Sequence, residues 1–401
     1  MTVPAPHTQQ PSPNGDPRIV ARVFALTDVG RTREHNEDSF LVANLESGEP
    51  MGFEADARDM RAPAHGLLFL VADGMGGAAS GELASSMASH VVLAVLSEEW
   101  KRLELPTSEA FATALRDATV EANSRIHDFA KQHPEHRGMG TTATVAGLLG
   151  DTLYVAQVGD SRAYLVRDGS AKQLTKDQSL MQRLVEAGEM TQEQAESSDR
   201  RNIILQALGP EPHVTIDLTH QRLRRGDTLI LCSDGLSGLV RIDEMTRIAA
   251  ESPNVGSMCQ RLIDRANELG GPDNITVVAA TFDGDALDDG HKEDDTFGYN
   301  TYPLSGTLNH TTEEAPPPSP LPSLLLHPRS DPTPGYGTPA PDAASLQEEF
   351  ARARAAEDDA AFGIPDDVME DRRRRVEPIF FVLVMVAIAA AMWLLVRLLR
   401  K

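Results

Sequence analysis

Apolar positions in this chain fall into distinct regimes. Over 18–282, short runs rich in β-branched and apolar residues alternate with longer stretches whose apolar residues recur three and four apart, the pattern of a mixed α and β domain. GLLFLVA (66–72), TLYVAQV (152–158), RAYLVRDG (162–169), DTLILCS (227–233) and NITVVAATF (274–282) predict strands. Helices are predicted over 81–100 and 108–131, the second with Ser108 as its N-cap. Val155 and Tyr164 are expected to face each other across a hairpin. The strands come in clusters joined by short turns and do not alternate strictly with helices. That order favours antiparallel sheets with helices packed outside them, a layered α+β sandwich.

Outside that span the pattern changes twice. Residues 1–17 are polar and proline-rich with no apolar core of a secretory signal, so this end is expected to stay in the cytoplasm. Residues 285–371 hold 19 acids, 4 bases and 12 prolines, too little apolar surface to order the segment, which reads as a solvated tether. Within it, APPPSP (315–320) carries a PxxP of the kind an SH3-like partner docks, and 343–362 is a weak helical patch with Leu346, Phe350 and Ala353 on one face. The run 378–396 then shows no charge and no polar face. Its nineteen residues span about 28 Å as a helix, close to the roughly 30 Å hydrocarbon core of a bilayer. It is expected to cross a membrane once.

The organisation expected is therefore a disordered N-terminus (1–17), a catalytic domain (18–284), an acidic linker with a basic juxtamembrane end (285–377), a transmembrane helix (378–396) and a short basic tail (397–401). The arginines at 372–375 place the large domain on the cytoplasmic side by the positive-inside rule. Arg397, Arg400 and Lys401 weaken that charge argument, so the orientation rests mainly on the missing signal. The expected location is the inner membrane.

Charge narrows the chemistry. Acids outnumber bases 60 to 37, giving a net charge of −23, which repels phosphate backbones and excludes nucleic acid as a partner while favouring bound cations. The two cysteines, Cys232 and Cys259, cannot build a disulfide framework and are expected to be reduced thiols. Four aspartates stand where a strand ends or a glycine-rich turn begins: Asp73 in VADGMGG, Asp160 in VGDSRAY, Asp234 in CSDGLSG and Asp273 in GPDNITVV. A fifth acidic element, NEDSF (36–40), places Glu37 and Asp38 on opposite faces of an extended chain. Hard oxygen donors of this kind select Mg²⁺ or Mn²⁺. Converging acids repel unless cations lie between them, and two ions about 3.5–4 Å apart would remove that penalty, so the cluster predicts a two-metal hydrolase. Arg33, four residues before Glu37, offers a planar fork for two phosphate oxygens.

In order and spacing, TDVGRTREHNEDSF (27–40), VADGMGG (71–77), GMGTTATV (138–145), VGDSRAY, SDGLSG and GPDNITVV resemble the metal-dependent protein phosphatases of the PP2C family, bacterial type. The resemblance implies a four-layer α-β-β-α sandwich, two antiparallel sheets flanked by antiparallel helices, with a binuclear Mn²⁺/Mg²⁺ centre in a cleft at one end. It gives Asp73 the role of the carboxylate bridging both metals and the Gly74 carbonyl that of a ligand to one. Asp234 and Asp273 resemble ligands of the other. Glu37 and Asp38 match acids holding the site directly or through water, Asn274 an outer partner, Asp160 the ligand of a third, weaker metal, and Arg33 the residue that grips the substrate phosphate. Gly138 to Thr142 resemble a tight turn that lets backbone approach the cleft.

The activity so implied is hydrolysis of phosphoserine and phosphothreonine by a metal-activated bridging hydroxide, in opposition to Ser/Thr kinases at the membrane. Met75 stands where eukaryotic relatives carry a histidine proposed as the general acid, which leaves a metal-bound water or His35 for that task. Residues 176–209 correspond to the flap beside the cleft, with a helix over 180–188; Gln178 replaces a frequent histidine and puts flap docking in doubt. Two other readings compete: a metal-dependent hydrolase of small phosphate esters, and an inactive membrane-tethered binding module.

Overall fold

Runs such as LILC (229–232), apolar at every position, need cover on both faces. The computed structural model supplies that cover; it describes residues 19–304, apart from 54–55, 101–106, 197, 199 and 290–296. The N-terminal segment 1–17, the linker beyond 304 with its PxxP and helical patch, the membrane helix 378–396 and the tail 397–401 lie outside the described residues. In chain order the elements are β1 (Val20–Asp28), β2 (Asp38–Asn44), β3 (Glu49–Pro50), β4 (Arg58–Arg61), β5 (Leu67–Met75), α1 (Ala78–Glu99), α2 (Ser108–Gln132), β6 (Gly140–Thr141), β7 (Ala143–Leu149), β8 (Thr152–Val158), β9 (Arg162–Arg167) and β10 (Ser170–Gln173). There follow α3 (Leu180–Glu186), α4 (Gln192–Glu196), β11 (Asp217–Arg222), β12 (Thr228–Cys232), α5 (Asp234–Ser237), α6 (Ile242–Glu251), α7 (Val255–Glu268) and β13 (Ile275–Asp283).

The strands make two sheets, one ordered β10-β9-β12-β13-β1-β4 and the other β11-β8-β7-β5-β2-β3, with β6 paired to the end of β5. Neighbours within each are antiparallel. Successive side chains of a strand point to opposite faces, so Leu229 and Leu231 of β12 enter the core between the sheets while Ile230 and Cys232 enter the layer under the helices. Between the sheets, Phe69 meets Phe282 edge to face at 6.3 Å. Truncating such a fully buried phenylalanine to alanine costs about 3–5 kcal/mol. The helices α1 and α2 cover the second sheet, and α6 and α7 the first. The expectation of two antiparallel sheets flanked by helices therefore holds across the described residues.

Five local expectations change. Thr107, one residue earlier than Ser108, caps α2, its side chain accepting from Ala110 N; both residue types suit the position, and the backbone of Thr107 is the extended one a cap requires. The helix expected over 81–100 begins at Ala78, and the flap helix stops at Glu186. Val155 and Tyr164 do not face each other, because β8 belongs to one sheet and β9 to the other. The turn between them crosses the sandwich: Gly159 has a positive φ of 97° and is packed against Thr142, where a Cβ would come within 2.6 Å of the threonine methyl. Finally, the tether does not begin at 285, since Leu287 and Leu304 are buried against the domain. Their apolar side chains sit in an acidic stretch whose average composition conceals them.

Candidate active site

Each acid named from the sequence lies at the same end of the sandwich. Asp38 opens β2 directly opposite Asp73 near the end of β5. Asp234 follows β12 and Asp273 precedes β13, two antiparallel neighbours whose ends meet there. Asp160 sits in the crossing between β8 and β9. Glu37 and Asp38 diverge as an extended chain requires: Asp38 accepts from Ser233 Oγ at 2.7 Å, whereas the Glu37 carboxylate lies against Gly81, where α1 has no room for a side chain.

Backbone and amide groups fix these positions. Asn274 is the hub: its Oδ1 accepts from Glu37 N at 2.9 Å and its Nδ2 donates to the carbonyls of Val29 and His35 at 3.0 and 2.9 Å, pinning the 29–37 loop to the start of β13. The turn before β7 approaches the cleft as expected, Thr142 N and Thr141 Oγ1 both donating to the Asp73 carbonyl at 2.9 and 3.0 Å. Thr142 Oγ1 accepts from Asp73 N at 2.9 Å. Gly74 leaves no space for a Cβ, which would fall 2.6 Å from the Glu37 carbonyl and closer still to that of Gly81.

The electrostatics are those of an uncompensated cluster. Asp38 and Asp73 keep part of their surface open to the cleft, yet the packed surroundings desolvate them. Burial pushes the Asp38 carboxyl up to about 7, helped by Asp234 and Asp273 and opposed by the Thr276 and Ser233 hydrogen bonds. Burial drives Asp73 well above the usual carboxylate range, with Asp38, Asp234, Asp160 and Asp273 all adding to the rise. Asp160 is pushed up to about 8 by burial, then by Asp234 and Asp177, against Arg162. Asp234 is raised by burial and by Asp273, while its hydrogen bond with Asp73 works the other way. Glu37 is raised by burial and held down by Arg33.

Cations nearby are few and engaged. Arg33 Nη2 donates to Asp273 at 2.9 Å, with the arginine side chain 48% exposed. Arg162 is held by Asp177 through bonds of 2.9 Å from Nε and 2.6 Å from Nη2. Two carboxylate oxygens, Asp38 Oδ1 and Asp160 Oδ1, are buried without a hydrogen-bond partner. Among the described residues no three acidic, histidine or cysteine side chains are yet gathered at ion-holding spacing. The case for a metal therefore stands on the orphaned oxygens and the raised carboxyls, which hard cations would satisfy.

Sequence reasoning missed Ser233, whose hydroxyl donates to Asp38 and accepts from Thr276 N at 3.0 Å, and Ser85, which donates to the Glu37 carbonyl at 2.6 Å. Ser233 immediately precedes Asp234 at the N-cap of α5, a signal that was legible. Nothing in the sequence marks Ser85. Gln178 does dock the flap: Gly159 N donates to its Oε1 at 3.0 Å, and its own N–H donates to the Gly159 carbonyl at 2.9 Å. His35 is exposed, and its carbonyl is what binds Asn274. Both cysteines are free, and burial pushes each thiol up to about 12, as inert core groups.

The fold and this cluster have known counterparts. The serine/threonine phosphatase stp of Listeria welshimeri is 38% identical over 253 residues, covering 63% of this chain and 92% of that protein. The serine/threonine protein phosphatase PstP of Mycobacterium tuberculosis is 40% identical over 264 residues, 65% of this chain and 45% of that protein. A crystal structure of the PstP catalytic domain in complex with two manganese ions superposes with a TM-score of 0.53 at 35% identity, over 66% of this chain and 99% of that one. Residues 52–270 match the protein phosphatase 2C family, and the chain belongs to that family.

Proposed function

We propose that this chain is a metal-dependent protein serine/threonine phosphatase. The observation that carries the reading is the set of six carboxylates at one end of the sandwich, with Asp38 Oδ1 and Asp160 Oδ1 buried and unpartnered. Asp73, the Gly74 carbonyl, Asp234 and Asp273 would hold two Mn²⁺ or Mg²⁺ ions, Glu37 and Asp38 would support them directly or through water, and Asp160 would hold a third. Such ions, when bound, offset the mutual repulsion of the carboxylates, polarise a phosphate and make a bound water acidic.

The protein's own residues then do the rest. Arg33 stands at the mouth, half exposed, with one nitrogen on Asp273 and the remainder of its fork open to phosphate oxygens. Asn274 keeps Arg33 and Glu37 in register by holding the loop that carries them. The threonines of the turn fix the Asp73 backbone, so its carboxylate is aimed before substrate arrives. Gln178 fastens the flap to the backbone beside Asp160.

A membrane tether completes the reading. The uncharged run 378–396, preceded by four arginines, supports a single span with the catalytic domain on the cytoplasmic face. There it would raise encounters with phosphorylated proteins at the membrane, Ser/Thr kinases among them. Recovery of the full chain in the membrane fraction, and its loss on deleting 378–396, checks this part.

The test of the activity is phosphate release by the full chain from a phosphothreonine peptide under Mn²⁺ or EDTA, for the wild type and Asp234→Asn. Metal-dependent turnover that vanishes in the variant is the expected result. No turnover by folded, Mn²⁺-treated protein would refute the reading, and turnover of nitrophenyl phosphate alone would replace it with a small-ester hydrolase.

A further inference from the structure

Residues 297–304 (FGYNTYPL) lie outside the 52–270 family match and return to the domain along β11, the outermost strand of the second sheet. Thr301 faces Thr219 in antiparallel register, His220 N donates to the Asn300 carbonyl at 2.9 Å, and Tyr302 N donates to the Leu218 carbonyl at 2.8 Å. A free sheet edge exposes a row of unpaired backbone groups, and this strap covers part of one. Side chains anchor it at both ends. The Tyr302 ring meets Tyr154 at 5.4 Å and His220 at 5.2 Å, both edge to face, and Arg167 lies over Phe297 at 5.0 Å.

Tyr299, between those anchors, contacts the flap's roots instead. Its hydroxyl donates to Asp217 at 2.9 Å, and Lys176 Nζ lies 4.9 Å above its ring. Lys176 opens the flap and pairs with Glu186 of the flap helix α3 at 3.0 Å. Asp217 stands two residues after Thr215, whose carbonyl accepts from Gln178 Nε2 at 3.3 Å and whose N–H donates to Gln206 at 2.8 Å. One tyrosine thus touches Lys176, where the flap begins, and Asp217, which opens β11 beyond the flap's far end. The Lys176–Glu186 pair is nearly half exposed on each side and so weak by itself; the charge-assisted bond to Asp217 is the stronger link.

We propose that Tyr299 is a positioning residue, through which the strap sets the flap that receives a protein substrate. This rests on the phosphatase reading above. In energetic terms, a strap that is removed or loosened lets the flap open locally while the sheets stay intact.

The test uses the full chain with Tyr299→Phe, which removes only the hydroxyl, and Tyr299→Ala, which also removes the ring. Amide hydrogen exchange over 176–209 is read beside kcat and KM for a phosphothreonine peptide and for nitrophenyl phosphate. Exchange in the flap is expected to rise about fivefold for the alanine variant and less for phenylalanine, the loss of roughly one hydrogen bond's worth of local stability. KM for the peptide is expected to rise by a similar factor while kcat for nitrophenyl phosphate, too small to reach the flap, stays within about twofold. Unchanged flap exchange and peptide KM in folded Tyr299→Ala would overturn the proposal. So would exchange that rises equally in every strand, the mark of a staple for the fold as a whole. Absence of turnover by the wild type would strike the phosphatase reading instead, and the exchange data would still decide the strap.

Discussion

The two ends of β9 and β12 carry buried charge of opposite kinds. At one end, Arg167 and Asp227 are 6% and 1% exposed and bonded twice, at 2.9 and 2.6 Å, with Arg224 N adding a third bond to the carboxylate at 2.7 Å. At the other end, Asp160 and Asp234 join four more carboxylates, and two buried oxygens have no partner. The first end is neutralised by the protein itself and serves the fold. The second keeps a large excess of carboxylates even with Arg33 on Asp273, and a fold tolerates such repulsion where a bound cation answers it.

Removing one acid from each end sharpens that contrast most. Asp73→Asn should lower phosphatase turnover by at least about a hundredfold and raise the melting temperature of the EDTA-treated protein, because the repelling charge is gone. Asp227→Asn should instead cost about 3–5 kcal/mol of stability by leaving Arg167 uncompensated. Parallel thermal melts and turnover assays of the two variants separate the ends; equal destabilisation by both would break the comparison.

Arg33→Ala should reduce kcat/KM for a phosphothreonine peptide by about 10–100-fold, and lysine should restore only part of it, since an ammonium cannot bind two oxygens in plane. Steady-state kinetics of the two variants provide the check. A pH series gives a smaller effect. Asp38 and Asp160, raised to about 7 and about 8, stay protonated in the metal-free folded state over a range where the unfolded chain, titrating near 4, has already released its protons. The native state binds more protons there, so stability of the EDTA-treated protein should fall as pH rises from about 4 to about 8. Urea melts across that range would show it, and Mn²⁺ should flatten the slope. Smallest of all, Ser233→Ala should cost about 1–3 kcal/mol by orphaning Thr276 N and freeing Asp38, read by the same melts.

Much of this was legible in the chain. The acids announce themselves because each needs a strand end beside a tight turn, and glycines such as Gly74 mark where backbones touch. The sandwich is legible from strands apolar on both faces. What escaped was long-range partnership. Nothing near Ser85 or Tyr299 shows that one supports Glu37 and the other meets Asp217, since those contacts are made across 48 and 82 residues. The crossing at Gly159 looked like a hairpin because a Gly-Asp turn suits both, and only packing against Thr142 decides between them.

Calorimetric titration of the metal-free full chain with Mn²⁺, wild type beside Asp73→Asn, tests the central claim that the carboxylate end is built to be completed by cations. The account predicts at least two ions bound by the wild type, with a melting temperature that climbs as they bind, and loss of that response in the variant. Wild-type protein that stays folded yet takes up no Mn²⁺, or a variant that binds as well as the wild type, would contradict it.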